Sequence, residues 1–160
     1  MKRAMKQNFT VRHIKKNELD DLLDLYAHHL FSTPDAPLPP RSQIEKMWDE
    51  IVDSPMLHYF VVEVEGKIVA TCTISIIPNL TRGARPYGLI ENVVTHADYR
   101  GRGLAKALFE HTLDFAWAEN CYKVMLLSGK DRQAAHGLYE GVGFSKNEKV
   151  GYIAKPPRGT

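Results

Sequence analysis

Alternation of apolar and polar side chains begins at FTVRHI (9–14), which predicts a first short strand. Asn17 then offers an N-cap to a helix whose apolar positions Leu19, Leu22, Leu23, Tyr26 and Leu30 share one face. The four prolines of STPDAPLPP (32–40) block regular structure and stiffen a loop. Ser42, with Glu45 three residues on, forms a capping-box signature ahead of Ile44, Met47, Trp48, Ile51 and Val52, and so predicts a second helix.

The period changes at HYFVVEVEGKIVATCTISII (58–77), a β-branched and aromatic run broken once at Glu65-Gly66, which predicts a hairpin. Pro78 ends it, NLTRGARP forms a polar connection, and YGLIENVVT (87–95) supplies a further strand, with antiparallel pairing expected between these sequential strands. From Gly103, the spacing of Leu104, Leu108, Phe115 and Ala118 predicts an amphipathic helix to about Glu119. The near-continuous apolar run YKVMLLS (122–128) predicts a strand covered on both faces. Asp131 is the expected cap of a last helix through Tyr139, stopped by Gly141 and Gly143, and KVGYIA (149–154) is expected to be a closing strand. The order β-α-α-β-β-β-α-β-α-β predicts one α/β domain over residues 1–160 with a mixed sheet.

Composition narrows the class. A chain of 160 residues with 44% apolar and 25% charged residues and a net charge of +2 matches an ordinary soluble globular protein, and is not basic enough for general nucleic-acid binding. The N-terminal MKRAMKQNFT has no apolar run behind its basic residues, so neither a secretory signal nor a membrane span is expected, and the expected location is the cytoplasm. Cys72 and Cys121 stand alone without CxxC or His-Cys spacing, which predicts reduced, buried thiols and gives no support to a metal site.

The chemistry-bearing stretch is HADYRGRGLAKALFE (96–110). A strand-to-helix turn with two glycines points backbone N–H groups outward, and the helix behind it leaves its first amides unpaired at the positive end of its dipole. Gly101 and Gly103 let the backbone approach an anion closely, and Arg100, Arg102 and Lys106 add charge of the right sign. The same residues also suit an ordinary glycine turn with solvated arginines. There is no GxxxxGK[ST], and GxG here lacks the third glycine and the acidic residue of a dinucleotide fold.

The run NVVTHADYRGRGLAKAL resembles the coenzyme A motif of the Gcn5-related N-acetyltransferases, with Arg100, Gly103 and Ala105 matching its Arg/Gln-x-x-Gly-x-Gly/Ala signature. HGLYEGVGFSK resembles the family's second landmark, a helix ending in Leu-Tyr followed by Gly-Phe, and the likeness in motifs covers residues 58 to 154. LIENVV and CYKV also resemble the corresponding stretches of glucosamine-6-phosphate N-acetyltransferases.

The resemblance implies a mostly antiparallel sheet flanked by helices and acetyl-CoA as co-substrate, with no metal. It implies that the pyrophosphate lies on the amides of Gly101, Arg102, Gly103, Leu104, Ala105 and Lys106, and that a bulged strand pairs its backbone at Val93, Val94 and Thr95 with the pantetheine arm. It makes Tyr139 the expected hydrogen-bond or proton donor to the leaving thiolate, although its helical spacing equally suits a core residue. Glu91 is the leading candidate for the base that deprotonates the ammonium, directly or through water, with His96 second and a solvated strand acid as the alternative for Glu91. Arg132 stands where many relatives carry asparagine, and is expected to reach a coenzyme phosphate or an acidic group of the acceptor. Arg82, Arg85 and Lys130 are further candidates for anionic substrate groups.

The function these readings imply is direct acetyl transfer to a primary amine of a small molecule or peptide in a ternary complex, with a non-catalytic acyl-CoA-binding module of the same fold as the alternative. No nucleic-acid or membrane partner is expected. Dimers are common for such folds, so a homodimer is carried as an expectation.

Overall fold

The computed structural model describes residues 8–30 and 37–157, so the first half of the proline-rich loop lies outside the described residues. The chain divides into two compact units between Leu126 and Leu127. The first holds β1 (Phe9–His13), α1 (Leu19–His29), α2 (Arg41–Asp53), β2 (Leu57–Val64), β3 (Lys67–Ile77), the single-turn α3 (Thr81–Ala84), β4 (Tyr87–Thr95), α4 (Leu104–Ala118) and β5 (Val124–Leu126). Its sheet runs β1-β2-β3-β4-β5, antiparallel through β4, with β5 joining β4 in parallel. This is the expected mixed, mostly antiparallel sheet flanked by helices.

The β2–β3 hairpin turns where Glu65 and Gly66 both take positive φ (50° and 78°), as a two-residue turn matched to strand twist requires. Leu25 of α1 packs with Val61, Ile68 and Val94, while Leu19 and Leu22 pack with Trp48 of α2. Neighbouring strand residues face opposite ways, so Phe60 and Cys72 point to the other face, where the Cys72 sulfur lies 3.3 Å from the hydroxyl of Thr112 in α4. Leu104, Leu108, Phe109 and Ala116 bury the inner side of that helix, each large apolar side chain contributing about 1.5–3 kcal/mol. α1 and α2 thus cover one face and α4 the other.

Several local expectations are corrected. Asn17 does not cap α1: it lies in a 3₁₀ turn (Lys16–Glu18), and the Glu18 carboxylate instead accepts from the Lys15 amide at 2.7 Å while holding Arg12. α2 starts at Arg41 with Pro40 at its N-cap, so Ser42 is inside the helix and Glu45 accepts from Arg41 Nε at 2.8 Å rather than closing a capping box. β5 is three residues long and only half-buried, with Leu127 beyond it exposed, and among the described residues it pairs with β4 alone.

The second unit carries α5 (Gln133–Gly141). Its N-cap is Arg132, with no side-chain cap, and the Asp131 main-chain carbonyl accepts from Gln133 N at 3.1 Å where a side-chain cap was expected. The segment 149–154 forms no strand. Gly151 interrupts its alternation, a Cβ there would stand 2.5 Å from a Leu127 methyl, and Val150, Tyr152 and Ile153 are all exposed, so no ladder or buried face holds it extended.

Candidate functional site

β4 departs from regular pairing at one point. Thr73 pairs with Glu91 and Thr71 with Val94, so Cys72 alone faces both Asn92 and Val93, which is a β-bulge. Asn92 takes a φ of 51°, a left-handed value that asparagine accepts more readily than most residues. The bulge residue was not singled out from the sequence. The signal available was an asparagine set inside a β-branched run.

Parallel pairing with β5 ends at Ile90 opposite Leu126, so from Glu91 onward that edge of β4 has no strand partner among the described residues. Val94 turns its side chain into the cluster with Leu25 and Val61, leaving main-chain groups as what this edge offers. An open edge of this kind is a template for an added extended chain.

The strand runs directly into the turn. His96 N donates to Val69 O at 2.8 Å, the His96 ring accepts from Asp98 N at 3.2 Å, and a 3₁₀ turn spans Ala97–Tyr99. Gly101 and Gly103 follow with φ of 71° and 77°, and no atom lies within 4 Å of where a Cβ would stand at either. Glycine is therefore needed here for backbone conformation, which costs an L-residue about 1–2 kcal/mol, while the space beside it is open.

α4 begins at Leu104, and Ala107 N donates to Gly103 O at 3.1 Å, so the amides of Leu104, Ala105 and Lys106 have no acceptor within the helix. Together with the dipole, they form a positive end facing the open side of the glycines. The arginines brace this turn. Arg100 Nε donates to Thr95 O at 3.1 Å, while Arg102 donates to Asp98 O at 2.7 Å with its guanidinium 4.9 Å from the Tyr99 ring centre. Lys106 is held loosely at 3.7 Å from Glu110.

Glu91 is exposed on the strand, and its carbonyl accepts from the Thr73 hydroxyl at 3.1 Å. His96 stacks on His29 with ring centres 4.0 Å apart and approaches Lys67 Nζ at 3.5 Å, which makes it part of the turn's scaffold. Burial, then the neighbouring His96 and Arg100, push the His29 imidazole below its ordinary value. Arg85 is committed elsewhere: it donates to the carbonyls of Asn120 and Cys121, closing the end of α4. Arg82 sits exposed in a left-handed turn with φ of 59°.

In the second unit, Tyr139 is buried near the end of α5. Phe144 N donates to Tyr139 O at 3.0 Å and Gly143 N to Glu140 O at 3.1 Å, with Gly143 at a φ of 101°. That pair of bonds is a Schellman closure, and the Tyr139 and Phe144 rings, 6.3 Å apart, supply its accompanying apolar contact. Tyr139, Gly143 and Phe144 of the Leu-Tyr…Gly-Phe landmark thus each have a physical part in ending the helix. Arg132 N donates to Gly129 O at 3.2 Å, and Lys130 is exposed in the loop before it. No group of three or more His, Cys, Asp or Glu is placed to hold a metal among the described residues.

Residues 19–144 match the model of the Acetyltransferase (GNAT) family. The chain belongs to this family. A glucosamine 6-phosphate N-acetyltransferase of Trypanosoma brucei brucei is 39% identical over 84 residues, covering 52% of this chain and 55% of that protein. A solved structure from Agrobacterium tumefaciens, provisionally described as an acetyltransferase, is 39% identical with a TM-score of 0.82, covering 91% of this chain and 99% of that one. The structure of AAC(6')-Iy, in complex with a bisubstrate analog built on CoA, shares the GNAT fold at 19% identity and a TM-score of 0.74, covering 92% and 98%. The chain spans about half the length of the curated glucosamine 6-phosphate N-acetyltransferases it matches.

Proposed function

We propose that this GNAT-family chain transfers the acetyl group of acetyl-CoA to a primary amine by direct attack in a ternary complex. The observation that carries this reading is the continuity of one backbone path: the open, bulged edge of β4 leads straight into the two positive-φ glycines and the unpaired amides of α4. An extended pantetheine suits the edge at Val93, Val94 and Thr95, and a pyrophosphate suits the amides of Gly101, Arg102, Gly103, Leu104, Ala105 and Lys106. Arg100 supports the turn through Thr95, and Arg132 is assigned to a coenzyme phosphate.

When bound, acetyl-CoA supplies an activated thioester. Glu91, exposed at the bulge, accepts the proton that an ammonium must lose before its nitrogen can attack. Amides at the bulge polarise the acyl carbonyl, and the Tyr139 phenol donates to the departing sulfur. Holding amine and thioester together provides most of the acceleration. A route through a cysteine has no support, since burial pushes the Cys72 thiol up to about 12 and raises Cys121 as well.

The acceptor is assigned to small-molecule amines, by analogy with the glucosamine 6-phosphate relative. The two units are assigned to a single transferase domain, because the family match runs from 19 to 144 across the division between them. Free, buried Cys72 and Cys121 support a reducing, cytoplasmic setting. No helix among the described residues is long and apolar enough to cross a membrane. Incubation with acetyl-CoA and a panel of amines, reading free thiol, tests the proposal: amine-dependent release supports it. Saturable acetyl-CoA binding with no release on a broad panel would favour the non-catalytic module.

A further inference from the structure

The main-chain amides that lead into the glycine turn are each satisfied. His96 N donates to Val69 O at 2.8 Å, Tyr99 N to His96 O at 2.9 Å and Arg100 N to Ala97 O at 3.3 Å. The two amides between them are taken by imidazoles: Ala97 N donates to His29 Nδ1 at 3.3 Å, and Asp98 N to His96 Nδ1 at 3.2 Å. The two rings lie 4.0 Å apart centre to centre. His29 is the last residue of α1, so a side chain from a separate element holds the start of the turn whose far end carries Gly101, Gly103 and the first amides of α4.

An imidazole nitrogen accepts a hydrogen bond only while it carries no proton, so both rings serve this turn in their neutral form. Protonation of His29 would set an Nδ1–H against the Ala97 N–H, two donors 3.3 Å apart, and ring or turn would have to move. The groups around the pair are His28 and Asp24 from α1, Lys67 of β3 with its Nζ 3.5 Å from His96 Nε2, and Asp98, Tyr99 and Arg100 from the turn, the Tyr99 ring standing edge-on to His96. Burial, then His96, Arg100 and His28, lower the His29 pKa, and Asp24 alone raises it. The neutral, accepting form is therefore complete above the ordinary histidine value of about 6.5 and is lost as pH falls below it through the lower folded value.

Resting on the assignment of this turn to the pyrophosphate of acetyl-CoA, we propose that His29 is a positioning residue of the coenzyme site, which holds the turn through Ala97 N while neutral and releases it when protonated. Amides bind an anion only when aimed at it, so release of the turn weakens the coenzyme. The charge gained on protonation offsets little of this, since Arg100, Arg102 and Lys106 already stand at the turn and salt screens an added exposed charge. Proton and acetyl-CoA thus oppose each other, and the opposition is reciprocal: binding of acetyl-CoA makes His29 harder to protonate.

The test measures the acetyl-CoA dissociation constant by titration calorimetry from pH 8 to 5 on the parent, His29→Asn and His29→Leu. The asparagine oxygen can stand where Nδ1 stands and does not titrate, whereas leucine fills space without an acceptor. The parent Kd is expected to rise about fivefold below pH 6.5, the worth of one hydrogen bond. His29→Asn is expected to match the parent at pH 8 and to rise less steeply, and His29→Leu to bind about fivefold more weakly already at pH 8. Titration of the coenzyme's own phosphate is common to all three and cancels in the comparison. The His29 ring signal in the proton spectrum, identified by its absence from His29→Asn, is expected to titrate at lower pH once acetyl-CoA is bound. The same pH dependence of Kd in His29→Asn as in the parent, or a His29 signal that titrates at higher pH with acetyl-CoA bound, would overturn this inference alone. Absence of saturable acetyl-CoA binding to the parent at pH 8 would overturn the coenzyme assignment of the turn and this inference with it.

Discussion

The hydroxyl of Thr73 donates to the carbonyl of Glu91 at 3.1 Å, directly before the one residue of β4 with left-handed dihedrals, Asn92. A side chain of β3 thus fixes the main chain at the point where β4 gains its extra residue. Thr73→Val keeps the shape and deletes the bond, so it is expected to cost about 1 kcal/mol of stability, measured by urea unfolding. If the bulge orients Glu91, turnover should fall further than stability does. Unchanged turnover would separate the bulge from the chemistry.

Gly103 and Arg102 make opposite contributions to one turn. With Gly103 at a φ of 77°, Gly103→Ala is expected to cost about 1–2 kcal/mol and to weaken acetyl-CoA binding several-fold, whereas Arg102→Ala changes affinity less because its guanidinium is engaged with Asp98 and Tyr99. Titration calorimetry with acetyl-CoA ranks the two variants. A larger loss for Arg102→Ala would place anion recognition on the side chain instead.

Tyr139→Phe retains the ring that meets Phe144 and removes the phenol oxygen. The expected outcome is a melting temperature and an acetyl-CoA affinity close to those of the parent, with turnover reduced by about 10²-fold or more. An unchanged turnover number would remove Tyr139 from the mechanism.

His13 and His58 lie between β1, β2 and α4, with ring nitrogens 3.4 Å apart and both rings against Phe115. Burial lowers both pKa values, and for His13 the neighbouring His58 and His111 lower it further. The folded state therefore holds them neutral. Their stabilising contribution is complete above the unfolded value of about 6.5 and is lost as pH falls below it through the lower folded values. Thermal unfolding from pH 8 to 5 should show this decline, and His13→Phe should make it shallower; an unaltered slope would assign the decline to other groups.

Where the determinants are local, the sequence carries the fold well. The hairpin at Glu65-Gly66, the limits Tyr87–Thr95 of β4 and the course of α4 from Leu104 follow from period and turn chemistry within a few residues. Glycine at 101 and 103 likewise announces the positive-φ turn into α4. The misses arise where other groups, near or far in the chain, compete for the same side chains. Glu18 is drawn to Arg12 and Lys15, Glu45 to Arg41, and Arg85 to the carbonyls ending α4, so caps and candidate substrate contacts read from spacing alone are reassigned. The bulge depends on β3 pairing with β4 in a register set by both strands.

The Schellman closure at the end of α5 gives the Leu-Tyr…Gly-Phe landmark two separable layers. Gly143, Phe144 and the Tyr139 carbonyl end a helix, and they would be retained by any descendant of this fold that still needs the helix to stop there, whether or not it turns over substrate. Under the proposed transfer, selection for catalysis acts on what remains, a single oxygen at the tip of the Tyr139 ring. Loss of activity in this lineage would therefore first be written as phenylalanine at that one position, inside a motif otherwise intact.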